Sequence, residues 1–362
     1  MAFKNYYIHL LTIISLTATR LLQPGLTSAS PNITAVFAFG DSILDPGNNN
    51  HIPTVFRSNH LPYGLDFPGR IPTGRFSDGK LPMDLIVDHL GIKDLLPAYL
   101  DPALNDSGLL TGASFASAGM GLDDLTAAEA HVLTMNAQLG YFKQALGRMT
   151  SAVGREEAGR VVGNAVFVVG AGTNDMLYNF YLLPVRRGMT VSCYQDLLLT
   201  NLKNAITRLH GMGARRVAVI GLPPVGCLPV QVMVGSLSPS PHMFKRVCVD
   251  KQNSDSQAYN TKLQGMLSRL GQTLPGSRIA YVDIYNPIMD MINSPAAYGF
   301  ERTLDGCCGV GSIEMGPLCN ELVHTCRDPS KYIFWDAAHP TQAAYTVLSR
   351  NFQNNVLPAL LS

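Results

Sequence analysis

Two apolar periodicities take turns along this chain. Short β-branched-rich runs bounded by Gly or Pro occupy residues 34–39, 164–169 ("NAVFVV"), 216–220 ("RVAVI") and 278–282 ("RIAYV"). Unbroken apolar runs of this length read as strands buried on both faces of a parallel sheet. Between them the spacing lengthens. Met135, Leu139, Phe142 and Leu146 fall at i, i+4, i+7 and i+11. Leu198, Leu202, Ile206 and Leu209 sit at i, i+4, i+8 and i+11, and Ala344, Leu348, Phe352 and Val356 repeat every four. Each set covers one helix face. Strands alternating with helices predict the α/β class, a parallel sheet covered on both sides. No repeat or low-complexity linker divides residues 31–362, so they read as one domain.

Residues 1–30 break the pattern. Lys4 gives a positive start, residues 6–18 are mostly apolar, and Thr27, Ser28, Ala29 and Ser30 are small. The apolar stretch is shorter than the roughly 20 residues of a membrane span. This pattern predicts a secretory signal over residues 1–30, removed from the mature protein, which would be extracellular and without a stable membrane span. Asn32-Ile-Thr and Asn105-Asp-Ser are glycosylation sequons.

Charge and cysteines narrow the picture. The chain of 362 residues is 46% hydrophobic and has net charge +1. Without Lys4 and Arg20 it holds 25 basic and 26 acidic residues. It has no basic run suited to nucleic acid. Seven cysteines include Cys227 and Cys248, 21 residues apart, and the cluster Cys307, Cys308, Cys319 and Cys326. None forms a C-x-x-C pair, and an oxidising compartment favours disulfides. Adjacent Cys307 and Cys308 should take different partners among Cys319 and Cys326, in either arrangement. Cys193 is left over and reads as a buried free thiol.

In open parallel sheets, ligands bind beyond the carboxyl ends of the strands. Ser42 and Asn174 both lie just past such ends. The chain has no P-loop, no G-x-G-x-x-G, no H-E-x-x-H and no G-x-S-x-G. A nucleophilic serine needs a base, and the base needs an orienting acid. Among nine histidines, His339 stands out in Trp335-Asp-Ala-Ala-His-Pro-Thr341. Asp336, three residues earlier, can accept the Nδ1 proton and turn Nε2 outward.

The order of these motifs resembles the GDSL esterase/lipase family, in its plant secreted branch. The resemblance runs from about Thr34 to Val356. Gly40-Asp-Ser-Ile is the nucleophile block, with Ile43 where the family name has Leu. Gly74-Arg-Phe-Ser-Asp-Gly79, Ser114-Phe-Ala-Ser-Ala-Gly119 and Gly172-Thr-Asn-Asp175 follow in order. Gly221-Leu-Pro-Pro-Val-Gly-Cys-Leu-Pro229 and Cys307-Cys-Gly309 are typical of the plant branch. The resemblance implies a flavodoxin-like three-layer α/β/α sandwich with about five parallel strands. It implies Ser42 as nucleophile, with Asp336 and His339 completing the triad. It places the oxyanion hole at the Ser42 N–H, the Gly119 N–H and the Asn174 amide. Ser114 stands where many members have Asn, and is expected to tune loop hydrogen bonds. Met120 replaces a commonly smaller residue and is expected to narrow the acyl entrance. Asp41, Asp45, Asp78 and Asp175 are expected to hold loops by accepting backbone N–H bonds. Asn48-Asn-Asn50 reads as a turn that could line the site.

The expected activity is carboxylic-ester hydrolysis through an acyl-enzyme, with no metal or cofactor. The substrate would be a small-molecule, lipid or polysaccharide ester. An acyltransferase or polysaccharide deacetylase would use the same triad, and a catalytically silent wall-binding protein would share only the scaffold. Acyl-chain preference and oligomeric state stay open.

Overall fold

The computed structural model describes residues 33–186, 188–237 and 242–361. The signal segment expected at 1–30 and the sequon at Asn32 lie outside the described residues. Five strands, β1 Val36–Gly40, β2 Gly112–Ser114, β3 Val166–Gly170, β4 Arg216–Ile220 and β5 Arg278–Val282, form one parallel sheet in the order β2-β1-β3-β4-β5. This is the flavodoxin-like order. Four of the strands match the apolar runs to within two residues. The edge strand β2 has only three residues, Gly112-Ala-Ser, too few for a periodic signal.

Alternation along each strand splits the side chains between two helical layers. Phe37, Phe39, Phe167 and Val217 face α2 (Met135–Val153), α3 (Val191–Gly211) and α4 (Asp250–Thr273) in one core cluster. Val36, Ala38, Val166 and Ala218 face α1 (Pro82–His89) and the tail after α5 (Gln342–Asn351) in another. The stripes at Met135, Leu198 and Ala344 therefore point where their spacing predicts. No helix among the described residues is long and apolar enough to cross a membrane.

Register decides where the chemistry sits. Gly40 pairs with Gly170, Gly170 with Ile220, and Ile220 with Val282. The strand ends thus form one row, and the loops leaving them open on the same edge. Gly40 has a φ of +139°, and a Cβ there would meet the Gly170 carbonyl oxygen. Only glycine lets the two backbones close at this point.

A second, two-stranded sheet pairs β6 (Arg302–Gly306) with β7 (Tyr332–Phe334), and no apolar run announced either strand. Disulfides Cys307–Cys326 and Cys308–Cys319 surround it, and Cys227–Cys248 lies elsewhere. The structure corrects the expectation for Cys193, which is exposed. It occupies the first turn of α3, off the Leu198–Leu209 stripe that faces the core.

One buried ion pair ties the loop after β1 to α1. The Arg75 guanidinium donates to both Asp84 carboxylate oxygens, at 2.7 and 2.8 Å, and to the Pro46 and Leu96 carbonyls. Asp84 also accepts the Leu81 and Leu96 N–H groups. Removing one partner strands the other charge in the core. Asp84→Ala should therefore lose about 3–5 kcal/mol of stability, read from urea midpoints. A loss below about 1 kcal/mol, the range of surface pairs, would contradict this.

Candidate active site

Ser42 stands two residues past β1, in a turn closed by the Leu44 N–H donating to the Asp41 carbonyl. Buried Gln138 clamps the strand end, donating to the Gly40 carbonyl and accepting its N–H at 2.9 and 2.8 Å. His339 and Asp336 come from the opposite end of the chain. They sit on the tight loop after β7, where the Trp335 N–H donates to the His339 carbonyl and the Thr341 N–H to that of Ile333. Cys307 and Cys308 donate their N–H groups to the Phe334 and Trp335 carbonyls. The cysteine cluster is thus the clasp on the loop that carries the histidine.

The three side chains meet in one line. His339 Nε2 lies 2.8 Å from Ser42 Oγ, and Nδ1 lies 2.8 Å from both Asp336 carboxylate oxygens. A carboxylate can only accept, so Nδ1 carries the proton and the Nε2 lone pair faces the Ser42 hydroxyl. Asp336 is fully buried and also accepts the Ala338 N–H, the His339 N–H and the Tyr63 hydroxyl. Tyr63 in turn accepts the Gly316 N–H at 2.8 Å. Sequence reasoning missed Tyr63, because a tyrosine in a loop carries no local mark of a partner 273 residues away. It missed Phe76 as well, whose ring centre lies 4.8 Å from that of His339.

Gly119 and Asn174 reach the same cleft, of about 400 Å³, which Ser42, His339, Phe56 and Phe76 also line. Among the described residues neither the Ser42 nor the Gly119 N–H meets a protein acceptor. Gly119 has a φ of +86°, and a Cβ there would press on the Phe56 ring at 3.2 Å. The Asn174 amide donates one bond to the Met120 carbonyl at 2.9 Å, which orients it and leaves its second N–H.

Two expectations need correction. Met120 does not narrow an entrance. Its side chain is fully buried in the aromatic core, and only its carbonyl bears on the site. Asn48–Asn50 is a turn, since a short 3₁₀ helix spans Asn48–His51, but its asparagines do not line the cleft. Asn48 donates to the Ser114 and Ala116 carbonyls and Asn49 to those of Phe56 and Ala118. They fix the loop that presents Gly119. Ser114 Oγ donates to the Leu44 carbonyl, in the loop-tuning part expected of it. Asn105 is exposed, and its side chain caps a short helix by accepting the Gly108 N–H.

The four loop aspartates accept N–H bonds as expected. Asp45 holds Gly47, Asn48 and Ala118, Asp175 holds Leu122 and Asp123, Asp78 holds Gln342, and Asp41 holds Ile43. Burial pushes the Asp45 and Asp175 carboxyls up to about 6 against these donors. Asp41, with a single 3.3 Å bond, is pushed up to about 7 by burial, opposed by the Ile43 N–H and by His339.

A second, apolar-walled space adjoins the cleft, and Ser42, Asn174, Ala338 and His339 line both.

The chain belongs to the family of GDSL-like lipases/acylhydrolases, which it matches over residues 36–352. A GDSL esterase/lipase of Arabidopsis thaliana is 52% identical over 349 residues, 96% of each chain. A second from the same plant is 44% identical over 327 residues, 90% of each chain. A solved alpha/beta hydrolase enzyme from the metagenome of Lake Arreo, Spain, covers 90% of this chain and 94% of its own. Its TM-score of 0.43 and identity of 12% are too slight to define the fold.

The Asp41 environment gives a signed expectation. The folded carboxyl holds its proton up to about 7, against 3.8 for the ordinary group. The folded state therefore binds more protons between these values, and stability falls as pH rises through that window. Asp41→Asn lacks this titration. Its stability relative to the native chain should climb from about pH 4 to about pH 7 and then level off, as urea midpoints across the window would register. A difference that stays flat with pH would overturn the assignment.

Proposed function

We propose that the chain is a secreted carboxylic-ester hydrolase in which Ser42 is the nucleophile, His339 the base and Asp336 its orienting acid. The observation that carries this reading is the unbroken line of hydrogen bonds from Asp336 through His339 to Ser42 Oγ. Membership of a lipase/acylhydrolase family supports the ester as substrate class. Three disulfides and an exposed sequon at Asn105 support an oxidising, extracellular setting.

The steps follow from the geometry. His339 Nε2 takes the Ser42 proton as Oγ bonds to the ester carbonyl carbon. The carbonyl π pair moves onto oxygen, which the Ser42 and Gly119 N–H groups and the Asn174 amide receive. These donors are neutral, so they favour the developing charge without trapping a charged ground state. Collapse breaks the bond to the alcohol oxygen, which leaves with the proton from Nε2. Water then attacks the acyl-enzyme, gives one proton to Nε2, and the acid departs as Ser42 recovers it. Asp336 keeps the Nδ1 proton in place and steadies the imidazolium between steps.

Ser42→Ala should abolish p-nitrophenyl ester turnover and fluorophosphonate labelling while the fold persists. Asn174→Ala should lower kcat by about a hundredfold to a thousandfold. Unchanged turnover in Ser42→Ala would refute the nucleophile, and unchanged kcat in Asn174→Ala would remove the amide from the hole.

A further inference from the structure

Tyr63 has no part in the steps above, yet it is built into the acid. It is fully buried, in a loop held by the Tyr63 N–H donating to the His60 carbonyl and the Gly64 N–H to that of Ser77. Its ring is walled by those of His60, Phe76 and Trp335, at centre distances of 5.5, 5.6 and 6.2 Å. Its hydroxyl has one proton and two neighbours, the Gly316 N–H at 2.8 Å and Asp336 Oδ2 at 2.7 Å. The amide can only donate, so the single phenolic proton goes to the carboxylate. Accepting from Gly316 also strengthens that donation, because hydrogen bonds in a chain polarise one another.

The two carboxylate oxygens of Asp336 are not equally served. Oδ1 accepts the Ala338 and His339 N–H groups as well as the imidazole. Among the described residues, Oδ2 has only the imidazole and Tyr63. Without the phenol, Oδ2 would turn more of its negative charge on Nδ1 and stabilise the imidazolium. It would also lose its one donor from outside the loop that carries the acid and the base. Burial and the charge of Asp336 push the Tyr63 phenol well above its ordinary value, so it stays a neutral donor. A water at this place could exchange or turn, whereas a phenol wedged among three rings cannot.

We infer that Tyr63 is a positioning residue for the base. Its hydroxyl fixes Asp336 Oδ2 against the imidazole and draws charge from it. His339 thereby stays neutral, and able to take the Ser42 proton, at a lower pH than Asp336 alone would allow. The inference rests on the ester-hydrolase reading and goes beyond it. Other titratable groups face the same centre. Asp41 comes from the loop after β1, Tyr178 from the helix Asp175–Leu182, and Tyr345 from α5 with Asp78 beyond it, while His60 lies against the Tyr63 ring. All of them remain when Tyr63 alone is changed, so a difference between native and variant belongs to the phenol.

The kcat/KM of purified full-length protein on a p-nitrophenyl ester, followed from about pH 4 to about pH 9, reports the titration of the free base. Tyr63→Phe should move its acid limb upward by roughly half a pH unit. Above the limb, kcat should fall roughly tenfold. KM should move far less, since the Tyr63 side chain does not line the cleft. Replacing Tyr63 with a ring-fluorinated tyrosine, a stronger donor of nearly the same shape, should move the limb downward. A merely structural tyrosine would shift the urea midpoint and leave limb and kcat in place. A limb that stays or falls in folded Tyr63→Phe, or an unmoved kcat, overturns the inference, and so does a fluorinated protein whose limb stays or rises. Should Tyr63→Phe fail to fold, the fluorinated protein alone decides. Absence of turnover and of fluorophosphonate labelling in the native chain would sink the hydrolase reading instead. The His339 ring resonance, assigned by its loss in His339→Gln, would then judge Tyr63 by titration. A higher midpoint in Tyr63→Phe, or a lower one in the fluorinated protein, supports the inference, and an unchanged midpoint overturns it.

Discussion

A carboxylate sealed from solvent must be surrounded by donors, and Asp336 meets that demand with groups from separate parts of the chain. Its two oxygens accept the Tyr63 hydroxyl, the Ala338 and His339 N–H groups and the His339 ring. A buried acceptor left short of partners costs more than a made bond returns, so the arrangement is specified by what its alternatives would lose. Fixing these donors fixes the imidazole plane. With the plane fixed, Nε2 has one direction to face, and Ser42 stands there.

The serine is delivered from the other side by the sheet. Parallel strands in common register put β1 and β3 ends in one row, so Ser42 and Asn174 emerge side by side from segments 132 residues apart. The loops then hold each other. Asn48 and Asn49 grip the backbone leading to Gly119, and Asp175 grips the segment beyond it. On the histidine side, where the central sheet does not reach, the two-stranded sheet and its disulfides take over. The Cys307 and Cys308 backbone is bonded directly to the Phe334-Trp335 segment that precedes the acid.

Much of this was legible in the sequence because its signals are local. Continuous apolar runs marked β1, β3, β4 and β5, and apolar spacing marked α2, α3 and α5, while α1 and α4 were not read from the sequence. Asp336-Ala-Ala-His339 carried its own geometry, since three residues of separation suffice for the contact. The rest failed for one of two reasons. Strands β2, β6 and β7 are too short or too polar to show a period, and are held by partners distant in sequence. Met120 and Cys193 were misjudged because chain position does not report which way a side chain points. Met120 turns into the aromatic core while its carbonyl faces the site, and Cys193 turns to solvent from a helix whose other face is buried. Tyr63 belongs with these, being meaningful only once Asp336 and Gly316 have been brought to it.

Tyr63 also joins two parts of the site that look separate. Its hydroxyl donates to Asp336 and accepts from Gly316, and Met315, Gly316 and Pro317 wall the cleft beside Ser42. The same wall is closed at its far end by Cys319, whose N–H donates to the Gly316 carbonyl and whose sulfur is bonded to Cys308. Cys308 in turn donates its N–H to the Trp335 carbonyl, one residue before Asp336. These contacts form a closed ring: acid, phenol, cleft wall, disulfide, and back to the acid. In a ring of short bonds no member shifts alone. The Met315–Pro317 wall and the Asp336 carboxylate that orients the imidazole thus share one set of contacts, held by Tyr63 on one side and by the Cys308–Cys319 disulfide on the other.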